Sequence, residues 1–372
     1  MTKVPFLDLK RMNAPYRDIL EDAAKSVVES GWFIRGLYCE HFEHAFAEYI
    51  GVKYAVGVGN GLDALTLMLR ASMELGRLHE GDEILVPSNT FIATVLAVSA
   101  AGLKPVLVEP SVNTYDMDPK CLKNACGART RGILVVHLYG RLCAMDEICE
   151  FANAHDLLLF EDCAQAHGAR MNDGRSAGSF GSASSFSFYP TKNLGALGDA
   201  GMVVTNDADV AEVVRALGNY GSEQKYVNRF KGVNSRLDEM QAALLLAKLP
   251  DLEASNERRR EVAVRYCREI KNPKVLLPEL PAVPSEHVWH VFVIRLKSEV
   301  ARDDLQKFLR ERGIETLIHY PIPPHLQEAY AHEFCGEYPV AESMAKTILS
   351  IPMGPVMTDD EVSKVIGAIN EF

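Results

Sequence analysis

From about Tyr54 to Val204 the chain alternates short apolar runs with longer amphipathic ones. The runs are Tyr54-Val58, Glu83-Val86, Lys104-Val108, Gly132-His137, Leu157-Glu161, Ser184-Phe188 and Met202-Thr205. Most lack period-two alternation, as strands covered on both faces do. Between many of them lie segments of helical period, Leu62-Leu75, Ala93-Ala101 and Met145-His155. This rhythm predicts a seven-stranded, mostly parallel sheet with helices on both faces.

A long helical stretch follows, Leu237 to Lys271, and then the texture changes. Four prolines fall between Asn272 and Ser285. Next come an expected strand (His287-Leu296), a helix (Arg302-Arg312), a proline-rich loop (Tyr320-Pro324) and a final helix from Asp359. The division expected is a large α/β domain over residues 13–250 and a smaller α+β domain over 251–372. The N-terminal segment, with a helix near Tyr16-Ser30, has no strand to join in the parallel sheet. Residues 1–12 are expected to pack near the small domain, and the segment could also meet a second subunit.

Composition changes the picture only by exclusion. The chain has 372 residues, 48% hydrophobic and 24% charged, with a formal net charge of −11. Such a chain has no general attraction for phosphate polymers, which disfavours nucleic acid as a partner. The eight cysteines, Cys39, Cys121, Cys126, Cys143, Cys149, Cys163, Cys267 and Cys335, include no C-x2-C pair, and no His/Cys cluster has zinc spacing. Scattered cysteines fit a reducing compartment. The N-terminus has no apolar signal core, and no run reaches membrane-spanning length. A cytoplasmic protein without a metal centre or a membrane partner is expected.

The candidate chemistry sits in two runs thirty residues apart. Phe160-Glu161-Asp162-Cys163-Ala164-Gln165 closes a strand, and Phe186-Ser187-Phe188-Tyr189-Pro190-Thr191-Lys192-Asn193 surrounds a lysine with aromatic and small residues. An enclosed lysine has a depressed pKa and suits imine chemistry. A strand-end aspartate can hold a proton on a heterocyclic nitrogen. Together they are what pyridoxal phosphate requires. Alone, Lys192 reads more readily as a surface lysine in a glycine loop; the two runs and the glycine turn together reverse that. Val56-Gly57-Val58-Gly59-Asn60-Gly61-Leu62 is a strand, a glycine turn and a helix start, whose free N–H groups form an anion site. The same turn is common as a plain connection. Phe91 in Pro87-Ser88-Asn89-Thr90-Phe91 can stack on a flat ring or fill a core. Gln165 and Ser187 offer donors to a ring oxygen and a phosphate. His167 is either a site residue or a core histidine.

In this order and spacing the motifs resemble the DegT/DnrJ/EryC1/StrS family of pyridoxal-phosphate sugar aminotransferases. The resemblance begins at Val4-Pro5-Phe6-Leu7-Asp8-Leu9, is most specific from Ser185 to Gly201, and reaches His319-His325. It implies the type I, aspartate-aminotransferase-like fold, working as a homodimer with shared active sites. By residue it implies Lys192 as the covalent anchor for the cofactor and Asp162 as the pyridinium partner. Gln165 would contact the ring oxygen and Phe91 the ring face. Asn60, Gly61, Leu62 and Ser187 would surround the phosphate, with Asn234 reaching the neighbouring subunit's phosphate. Asn234 and Arg236 read equally as loop and cap residues. Family dehydratases carry histidine in place of the lysine; Lys192 favours transamination.

The segments Asn219-Tyr226 and Ile318-Gln327 resemble enzymes that aminate carbon 3 of dTDP-3-keto-6-deoxyhexoses, with L-glutamate as donor. Tyr189, Lys225, Tyr226, Arg229, His319, Tyr320 and His325 are the substrate residues this implies. For Lys225 and Arg229 a solvated loop is the plainer reading. The competing functions are amination at carbon 4 of another nucleotide-linked keto-sugar and a regulatory protein that holds the cofactor without turnover.

Overall fold

The computed structural model describes residues 3–334 and 336–372, so Met1, Thr2 and Cys335 lie outside the described residues. Seven strands form the central sheet: β1 (Tyr54–Val58), β2 (Glu83–Pro87), β3 (Lys104–Val108), β4 (Thr130–Val136), β5 (Leu158–Asp162), β6 (Ala183–Ser187) and β7 (Gly201–Thr205). Their order is β1-β7-β6-β5-β4-β2-β3. All neighbours run parallel except β7, which is antiparallel to both β1 and β6. The expected mostly parallel sheet is therefore present, and every expected strand begins within two residues of its observed start.

Apolar residues cover both faces, which explains the missing alternation. On one face Val56, Val86, Leu134 and Val203 meet Leu65, Met68 and Val98 from the helices Gly61–Glu74 and Ile92–Ala100. On the other, Phe42 and Phe46 of the helix Leu37–Ile50 pack on Phe186 and Phe188. The Phe46 ring stands edge-on to Phe186 at 4.9 Å and to Phe188 at 5.2 Å, the arrangement that aromatic quadrupoles favour. Burying this set fixes the backbone directly ahead of Lys192.

A separate apolar core gathers Val262 and Tyr266 with Phe292, Leu305, Leu349 and Ile369. Its two-stranded antiparallel sheet pairs Phe292–Arg295 with Ile348–Ile351. Val4 belongs to this core and bonds Gly313 and Glu315. The helix Arg17–Ser30 instead packs on the helix Glu239–Lys248.

Three local expectations are corrected. The stretch 237–271 is two helices, Glu239–Lys248 and Leu252–Glu269, separated by a 3-10 turn at Leu249–Asp251. Pro250 lies in that turn and cannot donate to a continuous helix. The expected strand His287-Leu296 is a strand only over Phe292–Arg295. Before it, Trp289 adopts a left-handed φ of 48°, which breaks the extended path. The helix expected from Arg302 starts at Glu299, capped by Ser298 Oγ, which accepts from Ala301 N–H.

The end of β5 is held from beneath by Glu161. Its carboxylate is fully buried and accepts from Gly178, Phe180 and Gly181 N–H, Ser184 Oγ and His137 Nε2, at 2.8–3.0 Å. His137 Nδ1 accepts from Cys143 N–H, so the ring proton lies on Nε2, toward Glu161. Cys163 lies within ligand range of this pair, but the lone pairs a cation would need already meet N–H and O–H donors. Burial pushes the Glu161 carboxyl up; His137 and the amides outweigh it and bring it below the usual range. A folded value below the unfolded one stabilises above about pH 4.3 and is lost as pH falls through the folded value. Glu161→Gln should therefore cost about 2–3 kcal/mol at pH 7, and the gap to wild type should narrow below about pH 4. Urea unfolding at pH 7 and pH 3.5 measures both; a gap that does not change with pH would contradict the assignment.

Candidate active site

The carboxyl ends of β1, β2, β4, β5 and β6 open on one cavity of about 550 Å³, where open α/β sheets place their ligands. Asp162 and Lys192 both line it. Successive strand residues face opposite sides, so Glu161 points into the protein and Asp162 toward the cavity. Asp162 Oδ2 accepts from Thr94 Oγ1 at 2.8 Å and Oδ1 from Ala164 N–H at 3.1 Å. Burial nevertheless raises its carboxyl above the usual range, against the pull of those two donors and of Lys192. Burial likewise lowers Lys192 to about 8, although Asp162 pulls it up. Each group is poised for a partner of opposite charge.

At the end of β1, Asn60 caps the helix Gly61–Glu74, its Oδ1 accepting from Asp63 N–H. The first N–H groups of that helix have no intrahelical partner. Ser187 stands opposite. A Cβ on Gly61 would lie 2.6 Å from Ser187 Cβ, so only glycine permits this approach. Ser187 Oγ accepts from Tyr189 N–H at 3.4 Å, which leaves its hydroxyl proton free to donate. Asn60, Gly61, Leu62 and Ser187 thus form one polar corner of the cavity, suited to a phosphate group.

Phe91, half exposed, stands on the other side with its ring 5.1 Å from Tyr320. Gln165 is held at both ends of its amide. Its Oε1 accepts from Tyr139 N–H at 2.6 Å, and its Nε2 donates to Tyr320 Oη at 3.1 Å. Tyr189, His319 and Tyr320 complete the expected lining. His319 Nδ1 is 2.8 Å from Ser350 Oγ, and burial brings the ring down to about 4, so it is neutral. His167 is a buried ring against Phe186 and Phe188, brought down to about 3 by burial.

Five expected residues lie elsewhere. The His325 ring is buried against Tyr338 at 4.7 Å, and Nε2 meets Glu342 Oε1 at 3.2 Å. Lys225 and Tyr226 tip an exposed hairpin, Ser222–Gln224 with Val227–Asn228, and Arg229 pairs with Glu223 at 2.8 Å. Asn234 is exposed on the loop beyond. None of these four reaches the cavity of its own chain. A larger cavity of about 810 Å³ beside Glu43 and Arg215 has no buried lysine; its Lys53 is exposed.

The profile of the DegT/DnrJ/EryC1/StrS aminotransferase family matches residues 17–370. The chain belongs to that family. It is 51% identical over 369 residues to a dTDP-3-amino-3,6-dideoxy-alpha-D-galactopyranose transaminase from Aneurinibacillus thermoaerophilus, covering 99% of both chains. Its fold is similar to that of Streptomyces venezuelae DesV in complex with a ketimine intermediate. That match has a TM-score of 0.94 and 46% identity and covers 100% of this chain and 98% of the other. It is similar also to NtdA of Bacillus subtilis with bound cofactor PMP, with a TM-score of 0.92 and 30% identity, covering 100% of this chain and 85% of that one.

DegT-family aminotransferases depend on pyridoxal phosphate, and the cavity suits that cofactor. It offers an anion corner, an aromatic face, a carboxylate and a lysine. Motif reading missed Thr94, Tyr139 and His290. Thr94 is a helix residue whose contact to Asp162 spans 68 positions. Tyr139 acts through its backbone N–H, which side-chain chemistry does not reveal. His290 arrives from the irregular segment before the second sheet, and its only signal is a histidine in an apolar run.

Gly61→Ala should collide with Ser187 and close the phosphate corner. The expected result is a folded protein with affinity for pyridoxal phosphate reduced at least about tenfold, equivalent to about 1.4 kcal/mol. Fluorescence titration measures it; unchanged affinity would place the phosphate elsewhere.

Proposed function

We propose that the protein transfers the amino group of L-glutamate to carbon 3 of a dTDP-3-keto-6-deoxyhexose. The observation that carries the chemistry is that Lys192 and Asp162 line one cavity beside the Gly61–Ser187 corner. Identity of 51% to the galactopyranose transaminase supports the choice of sugar and carbon.

Asp162 would hold the proton on the cofactor's ring nitrogen, and that cation would in turn keep the buried carboxylate ionised. Gln165 Nε2 has a second N–H for the ring oxygen. Gly61 and Leu62 N–H and the Ser187 hydroxyl would hold the phosphate, and Phe91 would cover the ring. Pyridoxal phosphate, bound there, withdraws electrons from the amine-bearing carbon of the substrate. Lys192 Nζ would be the covalent anchor for the cofactor. With the cofactor bound, Lys192 Nζ would be placed to hold or move a proton at that carbon, and burial, which lowers its basicity, would favour the role. His319 and Tyr320 face the same space and bind the sugar.

The working unit is a homodimer in the cytoplasm. Trp32, Phe33, Ile34 and Leu37 expose an apolar run that a second copy would cover. Asn234, exposed in its own chain, completes the phosphate corner of the partner, and the hairpin carrying Lys225, Tyr226 and Arg229 meets the nucleotide's pyrophosphate there.

Lys192→Ala should fold and bind the cofactor but lose turnover by orders of magnitude. Mixed with an inactive Asn234→Ala variant, it should recover part of the activity, because one hybrid site keeps both residues. No recovery after subunit exchange would reject the shared site.

A panel of dTDP- and UDP-keto-sugars with L-glutamate tests the substrate. The dTDP-3-keto-6-deoxyhexose should be the preferred acceptor by at least about tenfold in kcat/KM. Preference for a UDP-4-keto-sugar would overturn the reading.

A further inference from the structure

His290 lines the cavity together with Lys192, on a segment that no motif marked. Its ring state follows from a chain of hydrogen bonds. Asn256 Nδ2 donates to the His167 carbonyl at 2.8 Å, so Asn256 Oδ1 is turned toward Asn193 as an acceptor. Asn193 Nδ2 donates to that oxygen at 2.8 Å and to the Val288 carbonyl at 3.0 Å. Both amide orientations are thereby fixed by backbone carbonyls, which can only accept. Asn193 Oδ1 is left facing His290 Nδ1 at 3.1 Å. An amide oxygen cannot donate, so the ring proton lies on Nδ1. Nε2 carries a bare lone pair and has no hydrogen-bond partner among the described residues.

The surroundings hold the ring neutral and still. Burial depresses its basicity well below the ordinary histidine range, and the nearby Lys192 and Arg259 charges push it further down. Arg259 is buried and donates to the Trp289 and His290 carbonyls at 3.3 and 3.4 Å. The Trp289 ring stacks on His287 at 3.7 Å. The backbone that presents His290 is thus gripped on both sides.

A lone-pair acceptor beside Lys192 discriminates between the groups that flank a reacting carbon. At Nε2 a carboxylate or a second carbonyl offers only lone pairs, so the carboxylates of L-glutamate must lie away from this one atom. A ring hydroxyl offers a proton. We infer that His290 is a specificity-determining residue whose Nε2 accepts a hydrogen bond from a sugar hydroxyl on a ring carbon next to the reacting carbonyl. The inference rests on the keto-sugar reading above and adds to it the requirement for a flanking hydroxyl.

The test is calorimetric binding of three ligands to the cofactor-loaded enzyme. They are dTDP-3-amino-3,6-dideoxyhexose and its analogues lacking the hydroxyl at carbon 2 or at carbon 4. His290→Phe should weaken the parent ligand about tenfold and leave one of the two analogues unchanged, since that analogue has already lost the bond. His290→Gln, which keeps an acceptor oxygen, should restore the parent to within about threefold of wild type. If the phenylalanine variant does not fold, His290→Met makes the same comparison. Equal weakening of all three ligands, or no rescue by glutamine, would mean that His290 only supports the fold and would overturn the inference. Wild-type enzyme that binds none of the three would overturn the keto-sugar reading, and the inference with it.

Discussion

A buried carboxylate, Glu161, anchors the strand end on which the cavity stands. Five donors from β6, the loop before it and His137 converge on its two oxygens. A charge without water costs several kcal/mol unless its lone pairs are filled, so those elements have little freedom to shift. The next residue along the strand points the other way and inherits this rigidity. Asp162 is therefore aimed into the cavity by the same backbone that Glu161 holds.

The cavity is built to contain few charges of its own. His290 and His319 line it with Lys192, and burial holds both rings neutral. Lys192 and Asp162 are each shifted toward the neutral form by lost hydration. In a space of low dielectric, small differences in position carry large energies. A cationic ring nitrogen would relieve Asp162, and covalent attachment would relieve Lys192. Two oppositely charged groups that each lack hydration would be relieved by such a ligand, which is how a preorganised polar site differs from a core.

Much of this was legible along the chain. The apolar runs located all seven strands of the main sheet, because strands buried on both faces need continuous apolar side chains. Asp162 and Lys192 were found because each sits at a strand end or in the loop just after one, among residues whose local pattern is distinctive. Gly61 was found because a helix start after a strand has a recognisable turn. The errors came where local pattern conflicts with tertiary packing. His287-Leu296 reads as one strand, but Trp289 turns left-handed to stack on His287 and to present its carbonyl to Arg259. His325 reads as a pocket residue, but its ring packs on Tyr338 and its nitrogen meets Glu342.

The sequence by itself determined the fold class and the cofactor and singled out Lys192 and Asp162, because these depend on periodicity and on motifs a few residues long. Only the tertiary structure decided how the groups are tuned. Thr94 and Asp162 lie 68 positions apart and His290 and Asn193 lie 97 apart. Such contacts exist only once distant parts of the chain have packed together. The protonation of His290, the direction in which Asp162 points and the absence of His325 from the cavity all follow from distance and orientation, and no local pattern of residues encodes them.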